Sequence, residues 1–326
     1  MKYFLRKIGL LLFALFVAIT INFFLPRMMP GDPASDLIDK MEGIPPEALE
    51  SIKAAFGVDT TEPLISQYGN YLLNLAKGDL GISISRFPTP VSEVLKVAIP
   101  WSIGLMGIAT IISFIIGTIV GIACAWNRNK PAATFTVGFF IFIRSFPYFW
   151  LGLLLIYIFA FQFHIFPIGG SYDPFIERGG WEFFISVLKH AVLPACTMII
   201  SSMGAWILTM RNNMINVLAE DYITVALAKG LPMKRIKGLY AAKNAMLPSI
   251  TGFAMSLGFV VGGGLLTEMV FGYPGIGLML FQAVQAKDYP LMQAIFLFIS
   301  AAVLIANFCA DIAILILDPR VRDGGK

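Results

Sequence analysis

Long apolar stretches dominate this sequence and predict that it spans a membrane. A helix needs about 20 mostly apolar residues to cross the hydrocarbon core, where every backbone N–H and C=O must be paired within the segment. Only 13% of the residues are charged and 57% are hydrophobic, whereas an ordinary soluble domain carries about 25% charged residues. We predict an all-α integral membrane protein with six transmembrane helices: 8–25, 101–126, 132–163, 191–210, 249–271 and 291–317.

Two of these stretches carry special signals. Basic residues precede the first stretch, as in a signal peptide, but Pro26 and Arg27 follow it in place of a small-residue cleavage site. We therefore interpret it as an uncleaved first helix. The third stretch contains Arg144 and Pro147, and we expect an interfacial helix there that bends into a span beginning near Tyr148.

The distribution of Lys and Arg predicts the orientation of the helices, because basic residues are concentrated in cytoplasmic segments. With the N-terminus inside, the inner segments hold 14 basic residues in 59 positions and the outer segments hold 9 in 117. We therefore predict that both termini are cytoplasmic. The inner segments are 1–7, 127–131, 211–248 and 318–326, and the outer ones are 27–97, 164–190 and 272–290.

The long segment 27–97 is predicted to form a helical extracytoplasmic cap between the first two transmembrane helices. Pro45-Pro46-Glu47 begins a short helix that Gly57 can end, and a second helix runs from Glu62 to Lys77, before Gly78. We accordingly divide the chain into 1–97, a transmembrane domain 98–317 with a cytoplasmic loop 211–248, and a tail 318–326.

The cytoplasmic loop 211–248 has the most specific local signals. Glu220 and Asp221 suit the first turn of a helix. Gly230 can adopt the left-handed conformation that ends a helix, and Pro232 suits the start of the next one. Two interpretations remain open: an amphipathic surface loop held by lysines, or a protruding knuckle of two short helices that docks to a cytoplasmic partner.

The loop residues also resemble a known family. Asp221 to Leu231 reads D-Y-I-T-V-A-L-A-K-G-L, and Asn244 to Pro248 reads N-A-M-L-P. The pair resembles the coupling loop of ABC importer permeases, most of all those of the oligopeptide/dipeptide type. Val225 departs from the family's usual Thr, and Thr224 stands one place earlier. Further similar motifs follow in the family's order: 30–33 (P-G-D-P), 79–83 (D-L-G-I-S), 147–152 (P-Y-F-W-L-G), 268–277 (E-M-V-F-G-Y-P-G-I-G), 288–290 (D-Y-P) and 317–322 (L-D-P-R-V-R).

The resemblance implies a type I ABC importer permease fold, a location in the inner or plasma membrane of a prokaryotic cell, and a set of partners. This subunit would form half of a translocation path, beside a second homologous permease subunit. Two cytoplasmic ATPase subunits would carry ATP and Mg, and an extracytoplasmic substrate-binding protein would deliver the cargo. The residues that would couple to the ATPases are Asp221, Tyr222, Thr224, Ala226, Ala228, Lys229 and Gly230. Peptides are the implied cargo, and oligosaccharides or chelated nickel remain alternatives.

The chain itself shows no site for catalysis. It lacks the G-x-x-x-x-G-K-[ST] loop that cradles nucleotide phosphates, so we predict a non-catalytic subunit without a cofactor. The three cysteines and two histidines show no metal-ligand spacing. Its basic residues form no dense run, so nucleic acid is not an expected partner. A secondary transporter or channel remains the alternative of another class, and a purely structural subunit would leave the knuckle unexplained.

Candidate residues of the translocation path are ionisable residues, which cost free energy to place inside a bilayer, and glycines, which make a helix flexible. Gly262, Gly263 and Gly264 lie in the fifth predicted span, where they indicate either close helix packing or a flexible section of the path. Arg144 and Asp311 are ionisable residues within apolar stretches. Glu268 lies near the outer end of the fifth span, either as part of a gate or as an interfacial residue.

Overall fold

The computed structural model describes residues 2–29 and 62–317, which are largely helical, with one isolated bridge, Ile82 to Pro90, as the only β pairing among them. The motif at 30–33, the predicted helix at 45–57 and the tail 318–326 lie outside these residues. The helices are α1 (Lys2–Arg27), α2 (Leu64–Ala76), α3 (Val91–Trp126), α4 (Pro131–Arg144), α5 (Tyr148–Leu155), α6 (Trp181–Leu218), α7 (Asp221–Ala228), α8 (Met233–Arg235), α9 (Lys243–Val260), α10 (Leu265–Phe271), α11 (Ile276–Gln285) and α12 (Tyr289–Leu317). Two π-helical segments, Ile156–Gln162 and Ile236–Ala242, continue α5 and join α8 to α9.

Four helical segments are long and apolar enough to cross a membrane: Arg6–Arg27, Val91–Trp126, Trp181–Leu218 and Tyr289–Cys309. Two bent pairs meet the same requirement together, Pro131–Arg144 with Tyr148–Gln162 and Met233–Val260 with Leu265–Phe271. Within residues 2–29 and 62–317 the chain therefore holds four candidate spans, or six if each bent pair is one span.

The helices extend beyond the apolar stretches that predicted them. The second stretch began at residue 101, but α3 begins at Val91; the fourth was 191–210, but α6 runs from Trp181 to Leu218. A helix pairs its own backbone groups in water as well as in lipid, so it need not end where the apolar sequence ends. The boundary drawn at 97/98 consequently falls inside α3.

Both bent pairs have a local cause. The predicted bend before Tyr148 is present: α4 ends at Arg144 and the axis turns by 96°. Pro147 disfavours the α conformation at the residue before it and thereby separates the two helices. In the fifth predicted span, α9 ends at Val260 and α10 begins at Leu265, with a 54° bend and Gly263 at φ +72° between them. The three glycines thus interrupt the helix, so they do not act as a packing stripe within it.

The described chain divides into two compact units. The first unit consists of Met1–Ser102, Val261–Leu265 and Pro274–Phe308. Its core packs the beginning of α3 against α11 and the beginning of α12, through residues such as Val91, Leu95, Ile276, Leu291 and Ile295.

In the same unit α2 is held against α1 by aromatic and polar contacts. Phe23 lies with its ring centroid 5.1 Å from that of Tyr68, and the Thr20 and Tyr68 hydroxyls are 2.7 Å apart. The Arg27 guanidinium donates to the Gln67 side-chain oxygen at 3.2 Å. Burial raises the pKa of the nearby Tyr71 phenol to about 12, so this side chain stays neutral. The predicted helix of the cap, 62–77, is confirmed by α2.

The second unit consists of Ile103–Val260, Leu266–Tyr273 and Cys309–Lys326. Close approach of α3 to α6 organises it. A Cβ added to Gly121 would lie 2.8 Å from the Ile207 carbonyl oxygen and 2.8 Å from the Met210 Cβ, so only glycine permits this packing. A core of residues from α6, α7 and the segment 236–245 lies at one end of this unit.

Candidate functional site

The short helix α7 is anchored by one face and exposed on the other. Ile223 and Ala226 are buried, with Ala226 only 2% exposed, and they pack with Met210, Met214 and Ile236. Asp221 in the first turn complements the positive end of the helix dipole. Because its inner face is part of a hydrophobic core, α7 is attached to α6 and α9 as a rigid element.

A glycine ends α7 in the manner that the sequence predicted. Gly230 has φ +68°. Its N–H donates to the Leu227 carbonyl at 2.9 Å, and the Leu231 N–H donates to the Ala226 carbonyl at 3.3 Å. This pair of bonds is a Schellman motif, which uses the left-handed residue to satisfy the last carbonyls of a helix. Among the described residues other than its two chain neighbours, no atom lies within 4 Å of where a Cβ at Gly230 would be, so backbone conformation is what restricts this position to glycine.

Asn244 connects the exposed face of α7 to the beginning of α9. Its side-chain N–H₂ donates to the Tyr222 hydroxyl at 3.3 Å and to the Tyr240 carbonyl at 2.7 Å. Asn244 belongs to the N-A-M-L-P motif, but its sequence position alone indicated no role for it. Asn244 lies 22 positions after Tyr222, and the two meet only because the chain turns back near Pro232. The sequence alone therefore does not indicate this contact.

The outer face of α7 carries most of the predicted coupling residues. Val225, 52% exposed, and Leu227 add apolar surface to it. Ala226 is the exception among the predicted residues, because its side chain points into the core. The exposed predicted residues are Asp221, Tyr222, Thr224, Ala228, Lys229 and Gly230. A short, rigidly mounted helix with small, apolar and polar groups outward is suited to contact another protein.

Arg144 lies at the bend between α4 and α5, and not in the middle of a straight helix. It is the last residue of α4, and its side chain is exposed. The aliphatic part of this side chain lies along Gly204 of α6, since a Cβ added there would be 2.9 Å from the Arg144 Cδ. Arg144 can therefore direct its charge away from the apolar packing while its stem covers α6.

Glu268 is completely buried within α10. Its backbone carbonyl accepts from the Tyr273 N–H at 2.8 Å, which closes the turn after α10. The end of α10 is held by the segment before α6, because the Gly170 N–H donates to the Phe271 carbonyl at 2.8 Å. Glu268 is therefore packed inside this chain and does not lie on its surface.

The remaining path candidates lie on other elements. Gly262, Gly263 and Gly264 belong to the break between α9 and α10, and Asp311 belongs to α12, with a side chain outside the described part of the structure. The coupling residues thus share one helix, whereas the path candidates come from four separate parts of the chain.

A second polar centre was not singled out from the sequence as a site. The buried carboxylate of Asp288, just before α12, accepts hydrogen bonds from Ser83, Ser85 and the Leu291 N–H. These residues come from the motifs at 79–83 and 288–290 and from their neighbours. The presence of the motifs 79–83 and 288–290 in one chain was the only signal of this centre. Neither motif by itself indicates that it contacts the other.

Comparison with known proteins gives consistent matches over the whole chain. The model of the family described as "Binding-protein-dependent transport system inner membrane component" matches residues 117–323. A second model, for the N-terminal region of binding-protein-dependent transport system membrane components, matches residues 1–93.

Two relatives from Escherichia coli (strain K12) illustrate the similarity. The "Probable D,D-dipeptide transport system permease protein DdpB" is 34% identical over 320 residues, which cover 94% of this chain and 93% of the relative. The "Dipeptide transport system permease protein DppB" is 30% identical over 341 aligned positions, which cover 99% of each chain.

Proposed function

This chain belongs to the family of binding-protein-dependent transport system inner membrane components, and from that premise we propose that it is the peptide-importing permease subunit of an ATP-driven transporter. It is a multi-pass membrane protein and a transport component, not a catalyst. In the proposal it forms half of a translocation path and is driven by ATP hydrolysis on separate cytoplasmic subunits.

The proposed coupling role rests on how α7 packs against the rest of the second unit. Its inner face is part of the core that includes Met210 of α6 and Ile236, while its outer face exposes Tyr222, Thr224 and Val225. A force applied to the outer face therefore acts on α6 and α9 together. We propose that two ATPase subunits, with ATP and Mg, move this helix and its counterpart on a second, homologous permease subunit.

The proposed topology has six membrane spans with both termini in the cytoplasm. It counts each bent pair as a single span and rests on the concentration of basic residues in the inner segments. On this topology α7 and the loop 211–248 face the cytoplasm, and α2 lies on the outer side, where a substrate-binding protein would deliver cargo. The division into 1–97, 98–317 and 318–326 remains part of this proposal.

Peptides are proposed as the cargo because both relatives above are named as dipeptide transport permeases. Oligosaccharides and chelated nickel are the competing cargoes of similar machinery. For the path, we propose that the break at Gly262, Gly263 and Gly264 allows α9 and α10 to move separately, with buried Glu268 as part of a gate. Arg144 and Asp311 are proposed to face the path.

The assembly and cargo can be tested in one preparation. The tagged chain is purified from its native membrane in mild detergent, and co-purifying proteins are identified. ATPase activity is then measured in lipid with the binding protein and dipeptides, an oligosaccharide or a nickel chelate. Co-purified ATPases and a second permease, with hydrolysis stimulated by dipeptides alone, support the proposal. Stimulation by another cargo overturns the peptide assignment, and a chain that purifies alone overturns the assembly.

A further inference from the structure

A groove of about 320 Å³ lies in the second unit between the end of α3 and the beginning of α4. Both of its walls are apolar, and its polar lining comes mainly from the connection 127–130. The apolar lining residues are Ile119, Val120, Ala123, Ala132 and Ala133. Asn127 and Lys130 supply polar groups from the connection. The groove thus combines a hydrocarbon-like interior with a cationic end.

The cations at this end are exposed and have no carboxylate partner among the described side chains. Arg128 and Lys130 are both exposed. Among the side chains of residues 6–29, 62–309 and 312, no carboxylate oxygen lies within 4.0 Å of the charged nitrogens of either residue. Arg211 of α6 adds a third positive charge, close enough to act electrostatically on Cys124 in the groove lining. The end of the groove is therefore positively charged, which favours an anionic ligand there.

The position of the groove identifies the kind of anion. α3 ends at Trp126 and α4 begins at Pro131, so the connection between two candidate membrane segments lies where lipid headgroups are. We propose that this groove binds an anionic phospholipid, with an acyl chain along Ile119 and Ala132 and the headgroup phosphate at Lys130 and Arg128. Basic pockets between membrane helices are suited to such headgroups. A free phosphate would leave the apolar walls uncovered.

In the proposed topology the connection 127–130 faces the cytoplasm, so the bound lipid would belong to the cytoplasmic leaflet. This choice of leaflet rests on the proposed function, whereas the binding itself depends only on the groove and its cations. It can be measured with the full chain in phosphatidylcholine vesicles that contain spin-labelled phosphatidylglycerol or spin-labelled phosphatidylcholine. The spectra give the association constant of each labelled lipid relative to the host lipid.

We expect the parent protein to prefer the phosphatidylglycerol probe by about 25-fold, the product of two contributions of about fivefold each. Arg128→Ala and Lys130→Ala should each reduce this preference by about fivefold, since a basic residue near the membrane surface contributes about 1 kcal/mol. Lys96→Ala is the matched control, because Lys96 lies at the other end of α3 and is already paired with Glu93 at 2.7 Å. This control should leave the preference unchanged.

Two further variants fill the groove without removing charge. Ala132→Phe and Ala123→Leu place larger side chains on the α4 and α3 walls of the groove, where the acyl chain would lie. Each should weaken association of the phosphatidylglycerol probe although Arg128 and Lys130 remain. A parent protein without headgroup preference overturns the proposal. The proposal is also overturned if inorganic phosphate abolishes the preference while the two filling variants leave it intact. That result would identify a simple anion site. Transport assayed separately on the same preparations tests the proposed function, and its loss would leave this lipid site standing.

Discussion

The Ser83 hydroxyl donates a 2.5 Å hydrogen bond to Oδ2 of Asp288, a residue 205 positions later in the chain. The same oxygen accepts from the Ser85 backbone N–H at 2.9 Å and from the Ser85 hydroxyl at 2.7 Å. Oδ1 accepts from the Leu291 N–H at 3.1 Å. One buried carboxylate therefore caps α12 and holds the segment before α3 against it.

Asp288→Asn should destabilise the first unit while hardly changing side-chain size. The amide nitrogen that replaces one oxygen cannot accept a hydrogen bond, and bonds to charged groups contribute about 1.5–3 kcal/mol each. We expect the free energy of unfolding to fall by about 2–3 kcal/mol, measured as a lower thermal midpoint in detergent. The matched control is Asp79→Asn, whose exposed carboxylate accepts only from the Gly81 N–H among the described residues. Equal midpoints for both variants would contradict the role of Asp288.

Gly230→Leu should separate ATP hydrolysis from transport without preventing membrane insertion. The left-handed conformation costs a non-glycine residue about 1–2 kcal/mol, and the space around Gly230 is open. The strain therefore falls on the end of α7. We expect reduced transport per ATP hydrolysed in vesicles, with normal amounts of inserted protein.

Gly230→Asn is the control for this prediction. Asn tolerates the left-handed region better than Leu does, so this variant should retain most of the coupling. Full transport by Gly230→Leu would mean that the geometry at the end of α7 does not matter for coupling.

Asn244→Ala and Tyr222→Phe should have non-additive effects on coupling. Both remove the 3.3 Å hydrogen bond between these side chains, which contributes about 0.5–1.5 kcal/mol, and Asn244→Ala also removes the 2.7 Å bond to the Tyr240 carbonyl. We expect Asn244→Ala to lower the ratio of transport to ATP hydrolysis more than Tyr222→Phe does, and the double variant to lower it no further than Asn244→Ala alone. The ratio is measured in the reconstituted complex. Additive losses would show that Asn244 and Tyr222 act independently.

Glu268→Gln should alter the gate while preserving the shape of α10. Glu268 is fully buried, and the substitution replaces its carboxyl group with an amide of nearly the same size. We expect slower cargo uptake and a changed basal ATPase rate, with unchanged amounts of protein in the membrane. Glu182→Gln, in the first turn of α6, is an exposed control. Unchanged uptake and basal ATPase in Glu268→Gln would remove Glu268 from the proposed gate.

Local signals in the sequence predicted α7 better than any other part of the chain. Asp221, Gly230 and Pro232 each act within one helical turn, so the beginning and the end of this helix follow from their own chemistry. Pro147 likewise predicted the bend before α5. These features need no knowledge of the rest of the fold.

Features that depend on distant parts of the chain were not predictable. Ala226 was predicted as a coupling residue, but Ile223 and Ala226 turn inward because Met210 and Ile236 lie beneath them. The glycines at 262–264 were placed inside a span, since an apolar stretch does not reveal where its helix is interrupted. The bonds between Ser83 and Asp288 depend on how α3 and α12 come together.

Site-specific photo-cross-linking tests the coupling role of α7 most directly. A photoreactive amino acid is placed at Val225, on the exposed face, or at Ile65, an even more exposed apolar position on α2. The intact complex is irradiated in native membranes with and without ATP. The account predicts a cross-link from Val225 to a cytoplasmic ATPase that changes with ATP, and none from Ile65. An ATPase cross-link from Ile65, or none from Val225 in an active complex, would contradict it.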